Sequence, residues 1–374
     1  MIRGMDRLET LRARTNDMVA DLRRVVEAES FSQDLEGTAH CADVVWELGE
    51  RLLGGKPERI EAAGRTHLLW RFGEEVRVLL LGHFDTVWPT GTLARWPFTV
   101  TDDRATGPGV FDMKAGIVQG FHALSTLESL DGVEILLTSD EELGSPSSAS
   151  LIRELATGAR ATLVLEPSAD GAVKTGRKGV SQYTINITGR AAHAGLEPEK
   201  GANALIELAN QIQRIEALAN PAAGTTVTPT VARAGTASNV VPALASLDVD
   251  VRILSIAEQQ RIARAMRELQ PSIPGTSLQI DADENRPPLE PSAASDLFAR
   301  AARLAPSIGI SELRGVTVGG ASDGNFTAAA GCPTLDGLGA VGNGAHAEGE
   351  YVVVSEMSPR ACLVAELVEE LLHV

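Results

Sequence analysis

Residues 76–86, VRVLLLGHFDT, begin as a nearly continuous apolar run and end on two polar side chains, His83 and Asp85. Such a run suits a strand covered on both faces, and strands of that kind belong mostly to parallel sheets. The same pattern returns in VEILLTSDEE from residue 133 and ATLVLEPS from residue 161, with HLLWRF at 67–72 as a further strand. Helix-like stretches at 113–127 and 147–157 separate these runs, and strands alternating with helices predict an α/β fold. Ligands of open α/β sheets bind beyond the carboxyl ends of the strands. There the chain places His83 and Asp85, then Asp140, Glu141 and Glu142, then Glu166.

Upstream, Leu8, Leu11, Met18, Leu22 and Val26 fall near helical spacing among charged neighbours, which predicts one amphipathic opening helix. Downstream the pattern changes at about residue 177. An alternating strand (SQYTINITG), a helix at 202–219, strands at 226–232 and 243–253, a helix at 256–269 and a last strand (SLQIDAD) give the order βαββαβ of a ferredoxin-like α+β unit. The expected organisation is therefore a mostly parallel-sheet domain in two parts, 1–176 and 286–374, with an inserted domain at 177–285. The closing helix is led by Ala361, Leu363, Val364, Leu367, Val368 and Leu371.

The 374 residues are ample for such a core, and 50 acidic against 33 basic residues leave a net charge of −17. A field of that sign repels phosphate backbones and anionic lipid, so neither nucleic acid nor a membrane surface is an expected partner. Cys41, Cys332 and Cys362 are odd in number and show no CxxC spacing, which predicts reduced core thiols. The first thirty residues lack a signal-peptide apolar run, and no stretch is apolar enough to span a bilayer. The expected location is cytoplasmic.

Several polar residues carry the chemistry. His83 and Asp85 sit two apart in an extended segment and share a face, so the imidazole can bind metal while the carboxylate fixes its tautomer. Asp112 leaves a Gly-Pro-Gly loop and enters a helix-like run, where a lone Asp would ordinarily cap the helix. Glu166 is delivered to the sheet edge just before a proline, in a position to cap the strand or to hold metal. His346 lies in the Gly-rich loop GNGAHAEGEY. Two His and several carboxylates at one edge, without Cys, suit a hydrolytic zinc, manganese or cobalt site. Five ligands exceed the three that one catalytic zinc takes from protein, so two ions about 3.5 to 4 Å apart, sharing one carboxylate, are expected. Neighbouring Glu141 and Glu142, read as a strand end, would point oppositely, one toward metal and one toward water as general base.

GHFDTV, GPGVFDMKAG, TSDEELGS, LEP, GRAAHAG and GxxHAEGEY, in this order around a βαββαβ insert, resemble the co-catalytic di-zinc family of glutamate carboxypeptidase, aminoacylase, acetylornithine deacetylase and succinyl-diaminopimelate desuccinylase. The resemblance spans nearly the whole chain, and DEELGS with GGASDGN leans toward the glutamate carboxypeptidase-like branch. It implies that two zinc ions per subunit, or cobalt or manganese, are held by His83, Glu166 and bridging Asp112 on one side and by Asp112, Glu142 and His346 on the other. Glu141 would be the base, Asp85 would orient His83, and the Asp112–Met113 peptide would be cis. The insert would be a lid and dimerisation domain of a homodimer. Its His193 would reach the partner subunit's site, with Asn239, Arg252 and, on weaker grounds, Arg286 contacting the substrate carboxylate. Lys178 and Ser322 are further candidates. The implied reaction is hydrolysis of an amide beside a free carboxylate, in a small peptide or an N-acyl amino acid.

Two other patterns compete. Residues 320–324, GASDG, match the GxSxG nucleophile elbow, with Asp336 and His346 following in triad order, so a serine hydrolase built on Ser322 is the alternative. It leaves His83, Asp112, Glu141, Glu142 and Glu166 without a role. Residues 337–342 match GxGxxG but precede Asn-Gly-Ala-His instead of a helix, which argues against a dinucleotide site.

Overall fold

The structure is a computed structural model and describes residues 2–373. The chain divides into two compact units, one of residues 1–176, 291–318 and 322–374, the other of residues 177–290 with 319–321.

The first unit is built on a six-stranded sheet ordered Glu58–Ala62, Arg65–Phe72, Val133–Thr138, Val78–His83, Ala161–Val164 and Thr334–Leu335. The last four strands in that order run parallel, and the first two form an antiparallel edge hairpin, so the sheet is mixed and mostly parallel. All six residues of Val78–His83 are buried, because this strand has a parallel partner on each side and helices on both faces. Leu79 and Leu81 enter one cluster with Leu136, Ile152, Val164 and Phe326, against helices Ala149–Gly158 and Gly324–Ala329. Truncating Leu81 to alanine there would cost about 3 kcal/mol in lost burial and cavity formation. Helix Ala115–Leu124 is buried along its whole length, and its glycines permit the close approach, since a Cβ on Gly116 would fall 2.0 Å from the Leu165 carbonyl oxygen.

The register places His83 beside Thr138, and Leu81 beside Val164, so three strands end at one edge and release their polar followers together. The opening segment differs from expectation. It forms two helices, Ile2–Ala13 and Thr15–Glu27, because Arg14 leaves helical geometry and the Thr15 hydroxyl donates to the Arg12 carbonyl. Leu11, Met18, Leu22 and Val26 are nevertheless fully buried, as their spacing required. No described helix is long and apolar enough to cross a membrane. The three cysteines are buried free thiols.

The second unit runs strand Gly179–Thr188, helix Ala204–Glu216, strands Thr226–Ala234 and Leu244–Ile253, helix Ile256–Arg267 and strand Ser277–Arg286. Its four strands form one antiparallel sheet with Leu244–Ile253 and Gly179–Thr188 in the middle. Alternate residues Tyr183, Ile185 and Ile187, with Leu247, Val249, Val251 and Ile253, face helix residues Leu208, Ile215, Ile262 and Met266. Asn203 caps the first helix by accepting from Leu205 and Ile206 N–H. Buried Glu207 accepts from the backbone N–H groups of Ser272 and Ile273, at 2.9 and 2.6 Å, and from the Gln211 amide, which fastens the 270–276 loop to the helix.

Candidate metal centre

Strand Val78–His83 ends by presenting a fully buried imidazole. His83 Nδ1 lies 3.0 Å from the Asp85 carbonyl oxygen and 3.4 Å from the Asp85 carboxylate. That carboxylate makes its closest bonds elsewhere: it accepts from Ser32 Oγ at 2.7 Å and from the N–H groups of Glu141 and Glu142 at 3.2 Å each. Asp85 therefore ties the end of one strand to the turn that follows the next.

That turn corrects an expectation. Glu141 and Glu142 do not alternate on a pleated strand; they occupy a 3₁₀ turn, Glu141–Leu143, beyond the end of Val133–Thr138. The Asp85 carboxylate draws both backbone N–H groups toward itself and so curls the chain there. Their side chains still meet different neighbours. Glu142 stands 3.1 Å from His346 Nε2, while Glu141 gathers with His83 and Glu166, their ligand atoms all within 4.8 Å of one another.

Asp112 does not cap the helix that follows it. It lies in an irregular turn, Val110–Lys114, with φ −112° and ψ 97°, and its peptide to Met113 is cis. Its Oδ1 is 3.4 Å from His83 Nε2 and its Oδ2 is 3.5 Å from His346 Nε2. Glu166 Oε1 lies 3.5 Å from His83 Nε2. The sheet edge thus brings together His83, Asp112, Glu141, Glu142, Glu166 and His346. His346 is the exposed member, on a loop where its own φ is +62°.

Electrostatics mark this cluster as short of positive charge. Burial alone would lower the His83 pKa, yet the carboxylates of Asp112, Asp85 and Glu166 more than reverse that and hold it well above its ordinary value. The Glu142 carboxylate lifts His346 to about 9, and burial raises Glu142 itself, with Asp112 adding repulsion. A carboxylate-rich group in this state takes up either protons or cations. Two buried atoms, His83 Nε2 and Asp112 Oδ1, make no hydrogen bond although they face each other. Unsatisfied buried donors and acceptors are costly, and a divalent cation between them would satisfy both. The donor set of imidazole and carboxylate without thiolate fits zinc, cobalt or manganese.

Some residues near the site gave no sequence signal. Lys174, from strand Val173–Arg177, puts Nζ 3.7 Å from Glu166 Oε2. Glu350 is fully buried, and burial pushes its pKa up to about 8, against the lowering effect of donors from Phe111 and Trp88. Lys174 lies within a five-residue strand and Glu350 just before a three-residue one, segments too short for periodicity to say which way a side chain points.

The remaining candidates lie in the second unit. His193 is exposed, and its Nδ1 accepts from the N–H groups of Gly195 and Leu196, so the neutral ring carries its proton on Nε2. Asn239 is exposed and its carbonyl accepts from Ala194 N–H at 2.9 Å. Asp250 holds the Arg252 guanidinium by two bonds of 2.9 Å, so a substrate carboxylate would have to compete with it. Arg286 is buried at the end of strand Ser277–Arg286, and Lys178 Nζ donates to the Gly224 carbonyl.

The alternatives lack their defining contacts. Ser322 is buried and its Oγ donates directly to Asp336 at 2.6 Å, with no histidine between them, while His346 faces Glu142 and Asp112. The 337–342 loop is cradled by the buried Arg360, which donates to the Gly339 and Gly337 carbonyls, so its glycines serve close packing.

Fold and donor set together define a metallohydrolase acting on peptide or other amide bonds. Residues 79–370 match the pattern of Peptidase family M20/M25/M40, and the chain belongs to that family. It is 31% identical over 379 residues to carboxypeptidase G2 of Pseudomonas sp. (strain RS-16), covering 95% of this chain and 89% of that protein. It is 28% identical over 322 residues to succinyl-diaminopimelate desuccinylase of Caulobacter sp. (strain K31), covering 79% and 81%. Among solved structures, the aminopeptidase PepT of Bacillus cereus ATCC 10987 shares the fold with a TM-score of 0.78 at 22% identity, covering 96% and 99% of the two chains.

Proposed function

We propose that the chain is a two-metal hydrolase, loaded with zinc or with cobalt or manganese, that cleaves an amide beside a free carboxylate. The substrate is a small peptide or conjugate losing its C-terminal amino acid, or an N-acyl amino acid losing its acyl group. The observation that carries this reading is Asp112, whose two oxygens face two different histidines at 3.4 and 3.5 Å, as a carboxylate shared by two ions must. His83 and Glu166 complete one half of the proposed ligand set, Glu142 and His346 the other.

Bound cations would polarise the scissile carbonyl and acidify water. Glu141 accepts the proton of the attacking water and returns it to the leaving amine. Its burial, 8% exposed, limits competition from bulk solvent. Asp85 holds His83 and the 141–142 turn in register. The ferredoxin-like second unit serves as lid and dimerisation domain, and His193 stabilises the oxyanion in the partner subunit's site. Asn239, Arg252 and Arg286 bind the substrate carboxylate, for which a guanidinium fork is well shaped. The similarity to carboxypeptidase G2 favours the exopeptidase form, and the similarity to a desuccinylase keeps the deacylase form in view.

The test is a turnover screen of glutamate-terminated conjugates and N-acyl amino acids, with protein stripped by EDTA and reloaded with each metal. Activity is expected only in the reloaded protein. Full turnover by verified metal-free protein would sink the proposal.

A further inference from the structure

No step of the proposed reaction uses Glu350, yet its fully buried carboxylate joins the two segments that carry Asp112 and His346. Oε1 accepts from the Phe111 N–H at 3.1 Å, immediately before Asp112. Oε2 accepts from the Trp88 indole Nε1 at 3.1 Å. Trp88 is itself braced edge-on against Trp96, with ring centroids 5.0 Å apart.

On its own side, Glu350 closes the His346 loop. Ala347 N–H donates to the Gly344 carbonyl at 2.9 Å and Glu350 N–H to the Ala347 carbonyl at 3.1 Å. Gly344, at φ +88°, packs so closely that an added Cβ would lie 2.9 Å from Glu350 Cα. The strand Tyr351–Val353 that follows pairs with Arg104–Thr106, just upstream of the Asp112 turn. A carboxylate buried among neutral donors is expensive, and an apolar side chain would fill the space at lower cost. Only a polar group, however, can hold a backbone N–H beside Asp112 while anchored in the His346 loop.

We propose that Glu350 is a positioning residue that sets the separation of Asp112 and His346, and with it the ion these two hold together with Glu142. The inference rests on the two-metal reading above and goes beyond it in assigning an asymmetric role. Loss of Glu350 should loosen the His346-side ion far more than the other, because both segments it joins supply ligands of that ion, whereas His83 closes strand Val78–His83 and Glu166 follows strand Ala161–Val164.

The experiment is calorimetric titration of metal-free wild type, Glu350→Gln and Glu350→Asp with Zn²⁺, with the melting temperature of each metal-free protein as control. Wild type is expected to bind two equivalents. Glu350→Gln should lose about 10- to 100-fold in affinity for one equivalent, the usual cost of removing a group that orients a ligand, and keep the other within about twofold. Glu350→Asp, which keeps the charge on a shorter arm, should fall between. The inference is overturned if Glu350→Gln binds both equivalents as wild type does. It is equally overturned if both weaken in parallel with a fall in the metal-free melting temperature, the mark of a role in folding alone. A wild type that binds one equivalent refutes the two-metal reading and this inference together, whereas two equivalents with an unaffected Glu350→Gln refute only the inference.

Discussion

Glu142 and His346, separated by 204 positions in sequence, meet at 3.1 Å across the carboxyl edge of the sheet. Replacing His346 with alanine removes the only ligand of the proposed set that comes from the C-terminal part of the chain. The variant should fold, since that side chain is largely exposed, and should bind one zinc equivalent where wild type binds two. Metal analysis after dialysis checks this, and two retained equivalents would contradict the assignment.

Asp112→Asn should be more severe. It keeps the shape of the side chain but removes the anion shared by both halves, so both equivalents should weaken, and turnover should fall by roughly 10³-fold or more. Titration with Zn²⁺ beside steady-state kinetics separates the two effects.

Glu141→Gln should show the opposite pairing of results. Metal content stays at the wild-type level, while kcat drops by about 10²- to 10⁴-fold, the range general-base catalysis supplies. A variant with wild-type kcat would remove Glu141 from the mechanism.

Ser322→Ala distinguishes the serine-hydrolase alternative. The lost hydrogen bond to Asp336 should cost about 1 to 3 kcal/mol of stability, but turnover per folded molecule should stay within about threefold of wild type. Abolished turnover with intact metal would favour the elbow.

Glu207 provides a pH-dependent prediction remote from the metal cluster. Burial would raise its pKa, but the donors from Gln211, Ser272 and Ile273 outweigh that and lower it below the usual 4.5. Because the folded value lies below the unfolded one, its stabilisation is complete above about pH 4.5 and is lost as pH falls through the folded value. Glu207→Ala should cost roughly 3 kcal/mol near neutral pH, with the deficit shrinking in acid, as denaturant melts across pH 3 to 7 would record.

The mostly parallel sheet was legible because two-sided burial leaves continuous apolar runs such as VLLL and EILL, and because each run ends on a polar follower. His83, Asp112, Glu142, Glu166 and His346 are singled out as one set only through the resemblance of their motifs to a known family; residue type and position alone leave Asp112 open as a helix cap and Glu166 as a strand cap. Finer geometry was not legible. The turn at Glu141–Leu143 depends on a long-range acceptor, Asp85, that no local window contains. The strands Thr99–Thr101, Arg104–Thr106 and Tyr351–Val353 are three residues each, too short for a period to register. Glu350 carries no local signal beyond its place in a Gly-rich loop, and nothing in the pattern around Arg252 indicates that Asp250 holds its guanidinium by two bonds.

The placement of His346 has a consequence for biosynthesis. Every other member of the cluster has left the ribosome by the time Glu166 emerges, whereas His346 follows only after the whole second unit has been translated. Under the proposed two-ion reading, a nascent chain halted before the GNGAHAEGEY loop would hold half a site, full metal loading would be a late event, and products truncated upstream of that loop should be unable to bind the second ion.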